Sequence, residues 1–270
     1  MKQVRPKKNL GQHFLTDLSI ARRIADTVDA CPDIPVLEIG PGMGVMTQYL
    51  YPKERDFKCV EIDTESVAYL NEAFPRLRDN IIGDDFLRMD LNEVFEGRQF
   101  VLTGNYPYDI SSQIFFKMLD YKELIPCCTG MIQREVALRI ASEPNNKAYG
   151  ILSVLIQAWY DTEYLFTVDE TVFNPPPKVK SAVIRMTRNK VTDLGCDEKL
   201  FKRVVKTVFN QRRKMLRVSL KQIFNGALTA SPEFYQQDIM TKRPEQLTVQ
   251  QFVELTNMVE KELNRLNSLS

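Results

Sequence analysis

The sequence of 270 residues is poor in the side chains that bind metals or build disulfide frameworks, with one histidine and five cysteines. No two cysteines form a Cys-x-x-Cys pair, which argues against a structural zinc site and against a disulfide scaffold. We therefore expect no metal, and we expect the cysteines to be buried thiols. They are Cys31, Cys59, Cys127, Cys128 and Cys196.

Long apolar runs are lacking as well. No stretch approaches the roughly 18 apolar residues that a membrane-spanning helix needs. The basic residues at the start of the chain are not followed by the apolar segment of an export signal. Because 44% of the residues are hydrophobic, the chain can still bury a substantial core. The sequence predicts a cytoplasmic globular protein without a membrane partner.

The net charge of +1 conceals an uneven distribution along the chain. Residues 187–270 carry 15 Lys and Arg against 9 Asp and Glu, whereas residues 1–186 carry 21 against 26. A basic part beside an acidic part predicts that the first holds a polyanion while the second carries out chemistry.

Residues 1–187 alternate short apolar runs with amphipathic segments, which is typical of a parallel sheet covered by helices. The polar, glycine-containing stretch 188–195 predicts a linker, and Asp197 is a candidate N-cap for a helical segment after it. We therefore predict an α/β domain over residues 1–187 and a small all-α domain over residues 188–270. The seven predicted strands are 36–39, 57–62, 80–83, 100–104, 127–133, 163–168 and 181–187.

The tetrapeptide Asn105-Tyr106-Pro107-Tyr108 directly follows the fourth predicted strand. Open α/β sheets bind ligands at the carboxyl ends of their strands. There an amide oxygen can accept a hydrogen bond from an exocyclic amine, a proline leaves the preceding carbonyl available, and a tyrosine ring can stack on a base. The motif predicts a pocket for a flipped-out adenine; the alternative is a turn with two core aromatic residues.

Glycines recur at every second position in Gly40-Pro41-Gly42-Met43-Gly44, between the first strand and a helix. Such a loop lets the backbone approach a ligand closely. The spacing differs from the G-x-G-x-x-G of dinucleotide sites, which favours S-adenosylmethionine over NAD and argues against an oxidoreductase.

Glu61, at the end of the second strand, can accept hydrogen bonds from ribose hydroxyls; a solvated strand end is the alternative. Asp85 can accept from the cofactor's adenine amine or cap a helix.

In this order, the motifs resemble those of S-adenosylmethionine-dependent amino-methyltransferases. Residues 9–15, 172–181 and 210–217 further resemble the ribosomal RNA adenine dimethyltransferases, and among these the bacterial enzymes that dimethylate two adjacent adenosines near the 3′ end of small-subunit rRNA. The resemblance spans residues 9–259. It implies a Rossmann-like class I methyltransferase domain with a seven-stranded, mostly parallel sheet, followed by a small helical RNA-binding domain.

The resemblance also implies roles for single residues. The segment matching Gln12, His13 and Leu15 closes over the cofactor. The position matching Phe173 packs on the target base opposite Tyr108; the alternative for Phe173 is a core phenylalanine. Tyr106 departs from the expected leucine or isoleucine. The implied cofactor-binding residues are Gln12, His13, Leu15, Gly40, Gly42, Glu61, Ile62, Asp85, Phe86 and Asn105. The implied catalytic residues are Asn105, Tyr106, Pro107, Tyr108 and Phe173.

Residues 199–221 contain nine basic residues and no acidic one. At helical spacing most of them share a face, which favours binding of RNA phosphates over the alternative of a merely solvated face. Because phosphate contacts do not read sequence, we expect recognition of rRNA by its shape, within a partly assembled small ribosomal subunit. Nothing in the sequence suggests a heptad or an exposed apolar strip, so we expect a monomer. The predicted RNA-binding residues are Lys199, Arg203, Lys206, Arg212, Arg213, Lys214, Arg217 and Lys221.

Two other functions remain open from the sequence. One is dimethylation of a large-subunit rRNA adenine, as in enzymes that confer antibiotic resistance. The other is ribosome assembly or RNA binding with only a secondary methylation activity.

Overall fold

The computed structural model describes residues 4–224 and 229–269, which form two units. The first unit comprises residues 4–138 and 160–189. The second comprises residues 139–159 together with the described residues from 190 onward. The predicted boundary after residue 187 assigns residues 139–159 to the first domain, but they pack with the C-terminal segment instead. One such contact is the hydrogen bond from the Tyr149 hydroxyl to the Leu247 carbonyl, at 2.7 Å.

A seven-stranded sheet organises the first unit, in the order β4-β3-β2-β5-β6-β9-β7. Neighbouring strands are parallel except for β9, which is antiparallel to both β6 and β7. This confirms the predicted mostly parallel sheet. The strands of the chain are β1 Phe14–Leu15, β2 Val36–Ile39, β3 Phe57–Val60, β4 Ile81–Ile82, β5 Val101–Asn105, β6 Cys127–Gln133, β7 Tyr160–Val168, β8 Phe173–Asn174 and β9 Ser181–Arg188.

The burial of each strand explains its place in the sheet. All residues of β2 and nearly all of β5 and β6 are buried, as expected of central strands covered on both faces. The edge strand β7 has exposed and half-buried positions along most of its length. The helices that begin in this unit are α1 Leu18–Ala25, α2 Thr47–Leu50, α3 Thr64–Ala73, α4 Leu91–Val94, α5 Ser111–Asp120 and α6 Arg134–Ile140.

A second, two-stranded sheet was not predicted. It pairs β1 with β8 in antiparallel fashion, with Leu15 opposite Phe173. Each strand has only two residues, too few for a periodic pattern in the sequence. The pairing fixes the N-terminal segment against the segment that precedes β9.

The prediction that all five cysteines are thiols is wrong for two of them. Cys31 and Cys127 form a disulfide with their Cα atoms 5.9 Å apart. They are 96 residues apart in sequence, so only the packing of the segment before β2 against the start of β6 brings them together. Cys59 and Cys128 are buried thiols, and Cys196 is a half-buried one.

The second unit is helical, as predicted. Asp197 caps α8, since its side chain accepts a hydrogen bond from the Leu200 amide at 2.6 Å. The apolar face of α8 packs on α11 and α7, with the Phe209 and Phe252 rings 5.8 Å apart. The helices are α7 Ile151–Gln157, α8 Glu198–Asn210, α9 Leu216–Ser219, α10 Pro232–Gln236 and α11 Val249–Leu269. Within the described ranges, no helix is long and apolar enough to cross a bilayer.

Candidate active site

A cavity of about 220 Å³ opens at the carboxyl ends of β2, β3 and β5 in the first unit. Five segments line it: residues 9–15, residues 38–46 with the glycine loop, residues 60–62 at the end of β3 and just after it, residues 84–87 and residues 105–110. All ten predicted cofactor-binding residues lie in these segments. The structure therefore brings together residues that are up to 93 positions apart in the sequence.

The glycine loop needs residues without a side chain. Gly40, Gly42 and Gly44 have φ values of 62°, 56° and 77°, which lie in the left-handed region. A Cβ atom on Gly42 would lie 3.0 Å from the Phe14 ring. The loop thereby packs closely beneath the N-terminal segment while its backbone stays accessible from the cavity.

Glu61 is held in place by backbone amides. Its Oε2 accepts from the Gly42 amide and its Oε1 from the Asp63 amide, both at 3.0 Å. The residue is 4% exposed, and burial raises the pKa of its carboxyl while these backbone hydrogen bonds oppose the rise. Each oxygen keeps a further lone pair, so the fixed carboxylate can accept from two hydroxyls of a ligand.

A second buried carboxyl, Glu38, lies on β2 and lines the same cavity. The Thr47 hydroxyl donates to its Oε2 at 2.7 Å. Burial raises the pKa of Glu38 to about 8; the Thr47 hydrogen bond opposes that rise, and the charge of Glu61 adds to it. Glu38 is not among the predicted site residues, although an acidic residue in an otherwise apolar strand is a signal visible in the sequence.

Asp85 lies at the cavity wall next to the buried Phe86. Its Oδ1 accepts from the Leu87 amide at 3.0 Å, and its Oδ2 lies 3.4 Å from the Arg88 guanidinium. Its carboxylate thus accepts a local hydrogen bond within a turn, at a position that also faces the cavity, and no helix begins there for it to cap. Ile62, two residues after the end of β3, is 53% exposed and forms an apolar part of the rim of the cavity.

The predicted catalytic tetrapeptide begins at Asn105, the last residue of β5, whereas the predicted strand ended one residue earlier. The Asn105 side-chain amide donates to the His13 carbonyl at 3.3 Å. No donor from the described residues reaches its Oδ1. Pro107 is extended with φ −56° and ψ 127°, and the Tyr108 hydroxyl hydrogen-bonds to the Ser181 hydroxyl. The Asn105 Oδ1 atom, the Tyr108 ring and the backbone that joins the two residues therefore lie along one rim of the cavity.

Phe173 is the predicted catalytic residue that does not line the cavity. It is 4% exposed and packs in the hydrophobic core of the first unit, beside Leu15. Its ring thus makes the core contacts of the alternative interpretation, and its contact with a target base stays a prediction. The His13 ring instead stacks on Tyr108, with ring centroids 5.4 Å apart and an interplanar angle of 30°.

The basic residues of the second unit do not form one continuous helical face, contrary to the prediction. The helix α8 ends at Asn210, and a turn precedes α9. Arg212 is engaged within the unit, where its guanidinium lies 2.8 Å from the Glu245 carboxylate and donates to the Asn146 carbonyl. This long-range ion pair holds the turn and has no sequence signature. Lys206 is half-buried, and the exposed members are Lys199, Arg203, Arg213, Lys214, Arg217 and Lys221.

No group of three or more His, Cys, Asp or Glu side chains in the described ranges could hold a metal ion.

Comparisons with known proteins identify the family of the chain. A sequence profile of the family described as ribosomal RNA adenine dimethylase matches residues 3–261. The chain is 69% identical over 259 residues to the ribosomal RNA small subunit methyltransferase A of Phocaeicola vulgatus, covering 95% of this chain and 90% of the relative. A dimethyladenosine transferase from Plasmodium falciparum has a TM-score of 0.74 at 21% identity, covering 94% of this chain and 98% of that chain. The 23S rRNA methyltransferase ErmE has a TM-score of 0.63 at 25% identity, covering 92% and 99%.

Proposed function

Because the chain belongs to the ribosomal RNA adenine dimethylase family, we propose that it transfers methyl groups from S-adenosylmethionine to the N6 amines of two adjacent adenosines near the 3′ end of small-subunit rRNA. The observation that carries the proposal is the placement of Asn105 and Tyr108 on the rim of a cavity floored by the glycine loop and Glu61. The small-subunit target is favoured over a large-subunit one because identity is 69% to the small-subunit enzyme and 25% to ErmE.

The residues present fit S-adenosylmethionine. Glu61 would accept from the ribose hydroxyls, and the left-handed glycines leave room for the ligand against the backbone. Asp85 and Phe86 would hold the adenine, while Gln12, His13 and Leu15 would cover the site. When bound, the cofactor supplies an electrophilic methyl group on a positively charged sulfur.

The tetrapeptide would prepare the amine for attack. The lone pair of an adenine N6 amine is delocalised into the ring, so the free amine is a weak nucleophile. The Asn105 Oδ1 and the Tyr106 carbonyl oxygen would accept its two N–H bonds, while Tyr108 stacks on the base. The hydrogen bond from Asn105 to the His13 carbonyl orients the amide so that Oδ1 serves as the acceptor. Holding two reactants in attack geometry can contribute roughly 7–11 kcal/mol.

The exposed basic side chains of the second unit would hold rRNA phosphates. Arg212 is not part of this proposed surface, because its guanidinium is bound to Glu245. Phosphate contacts position the substrate without reading its sequence. The proposal therefore includes recognition of a folded rRNA in a partly assembled small subunit. The protein would act as a monomer in the cytoplasm.

The test incubates the protein and labelled S-adenosylmethionine with small subunits that lack the adenine methyl groups. Dimethylation of N6 removes the donor used in base pairing, so primer extension stops at the product and maps it. We expect two adjacent stops near the 3′ end and at least a roughly 100-fold loss of rate for Asn105→Ala, which lacks one acceptor of the transition-state amine. Asn80→Ala is the matched control, since the Asn80 amide also donates to a backbone carbonyl, that of Phe57, but outside the cavity.

Large subunits serve as the competing substrate in the same assay. Label in large-subunit rRNA alone, label at no adenosine, or full activity of Asn105→Ala would each overturn the proposal. Cofactor binding without methylation would favour the assembly-factor alternative.

A further inference from the structure

The side chain of Tyr106 turns away from the cavity and anchors the tetrapeptide from within the sheet. It is 1% exposed. Its hydroxyl lies 3.3 Å from the Leu102 carbonyl and 3.0 Å from the Thr129 carbonyl. The Cys128 sulfur lies 3.1 Å from the same hydroxyl. Leu102 is on β5, whereas Cys128 and Thr129 are on β6. The Tyr106 side chain therefore contacts both central strands from the residue that follows β5.

The sheet has a slot for this ring. Gly104 on β5 pairs with Gly130 on β6, and a Cβ atom on Gly130 would lie 2.7 Å from Cε2 of Tyr106. Phe115 contacts the ring edge-on, with centroids 5.4 Å apart at 74°. The Tyr106 amide donates to the Met131 carbonyl at 3.0 Å. Residue 106 is thus held by its backbone on one side and by its ring and hydroxyl on the other.

We propose that the Tyr106 hydroxyl is a positioning group that fixes the Tyr106 carbonyl and the adjoining Asn105 amide as acceptors for the target amine. This inference rests on the proposed function. The carbonyl and the ring share one Cα atom, so a ring anchored on β5 and β6 restricts rotation of the peptide that carries the carbonyl. A phenylalanine would fill the slot but would lack the hydroxyl, whose single proton is shared between the Leu102 and Thr129 carbonyls.

The effect should be greatest on the second methyl transfer. An unmodified N6 amine has two N–H bonds and is oriented by both acceptors. After the first transfer only one N–H remains, so the orientation of the amine depends on a single acceptor. A loosened acceptor pair therefore slows the second transfer more than the first, and monomethyladenosine accumulates.

Tyr106→Phe tests the inference, and Tyr160→Phe is its matched control. Tyr160 is also 1% exposed and lies in the same sheet, and its hydroxyl donates to the Ile125 carbonyl at 2.7 Å. Each variant lacks one buried tyrosine hydroxyl, so their melting temperatures should fall by similar amounts. For each protein one measures the melting temperature, the affinity for S-adenosylmethionine and the ratio of mono- to dimethyladenosine in nuclease-digested rRNA.

We expect Tyr106→Phe alone to slow the second transfer, by roughly threefold to tenfold, which corresponds to the loss of one net hydrogen bond. Its cofactor affinity should stay within about twofold of the wild type. Equal product ratios for Tyr106→Phe and Tyr160→Phe would overturn the inference. Failure of the wild type to dimethylate adenosine would instead overturn the proposed function.

If Tyr106→Phe does not fold, Cys128→Ala takes its place, because it removes the sulfur beside the hydroxyl and leaves Tyr106 intact. A smaller rise in monomethyladenosine is then expected. An unchanged product ratio would refute the positioning role.

Discussion

Glu38→Gln should make the protein more stable at alkaline pH, because Glu38 is a buried acid. Its carboxyl is 1% exposed and accepts a hydrogen bond from Thr47, which a glutamine oxygen can also accept. Burial raises the pKa of Glu38 from the ordinary 4.5 to about 8. At about 1.4 kcal/mol per pKa unit, this rise corresponds to roughly 5 kcal/mol of stability that is lost when the folded protein must ionise the group.

The direction follows from proton binding. Below about pH 4.5 both the folded and the unfolded chain keep the proton. Between pH 4.5 and about 8 the unfolded chain releases it while the folded chain retains it, so the free energy of unfolding falls as the pH rises. Above about pH 8 both forms are ionised, and the loss is complete. Glutamine does not titrate and avoids this loss.

Urea unfolding at a series of pH values from about 5 to 9 measures the effect. The free energy of unfolding of Glu38→Gln minus that of the wild type should increase by several kcal/mol across this range. Glu61 is present in both proteins, so its titration largely cancels in the difference. Glu72→Gln, at an exposed position on α3, is the control and should give a flat difference. Parallel pH profiles for Glu38→Gln and the wild type would refute a neutral, buried Glu38.

Two further predictions concern the substrate. Tyr108→Ala should lower the methylation rate by roughly 5-fold to 150-fold, which corresponds to the free energy of stacking one base on an aromatic ring. Its cofactor affinity should stay unchanged. Tyr164→Ala, on the edge strand β7, is the control. Steady-state rates and calorimetric cofactor titrations check this, and a fall in cofactor affinity with normal methylation would contradict it. The double variant Arg213→Gln, Arg217→Gln should make rRNA binding less dependent on salt. The slope of the logarithm of the binding constant against the logarithm of the salt concentration should fall by about one unit for each phosphate that is no longer neutralised. Arg76→Gln, in the first unit, is the control and should leave the slope unchanged. Filter binding at several salt concentrations measures the slope, and an unchanged slope would remove these two arginines from the RNA surface.

The sequence predicted the parts of the molecule that depend on local patterns. Apolar runs predicted all seven strands of the large sheet, and the glycine loop and Glu61 were placed correctly because they lie at strand ends. Strand boundaries shifted by a few residues; for example β7 begins at Tyr160 rather than at residue 163. Strand ends are set by neighbours in the sheet, which are distant in the sequence.

The features that were missed all depend on contacts between distant residues. The Cys31–Cys127 disulfide, the β1–β8 pair and the ion pair between Arg212 and Glu245 join segments at least 33 residues apart. The burial of the Phe173 ring has the same origin, because β8 pairs with β1. Its contact with the target base stays a prediction. The inward-turned Tyr106 could not be foreseen, because its slot depends on Gly130 in a neighbouring strand.

The His13 ring stacks on Tyr108, so under the proposed function the N-terminal segment competes with the target base for that ring. Two flat rings cannot occupy one face of Tyr108 at the same time, so a nucleobase that stacks on the covered face must first displace the imidazole. The observed affinity for the base is then its intrinsic affinity reduced by the cost of that exchange. The His13 carbonyl also accepts the hydrogen bond from the Asn105 side-chain amide. Under the proposed function, the residue whose ring the base displaces therefore also orients the amide oxygen that would accept from the target amine.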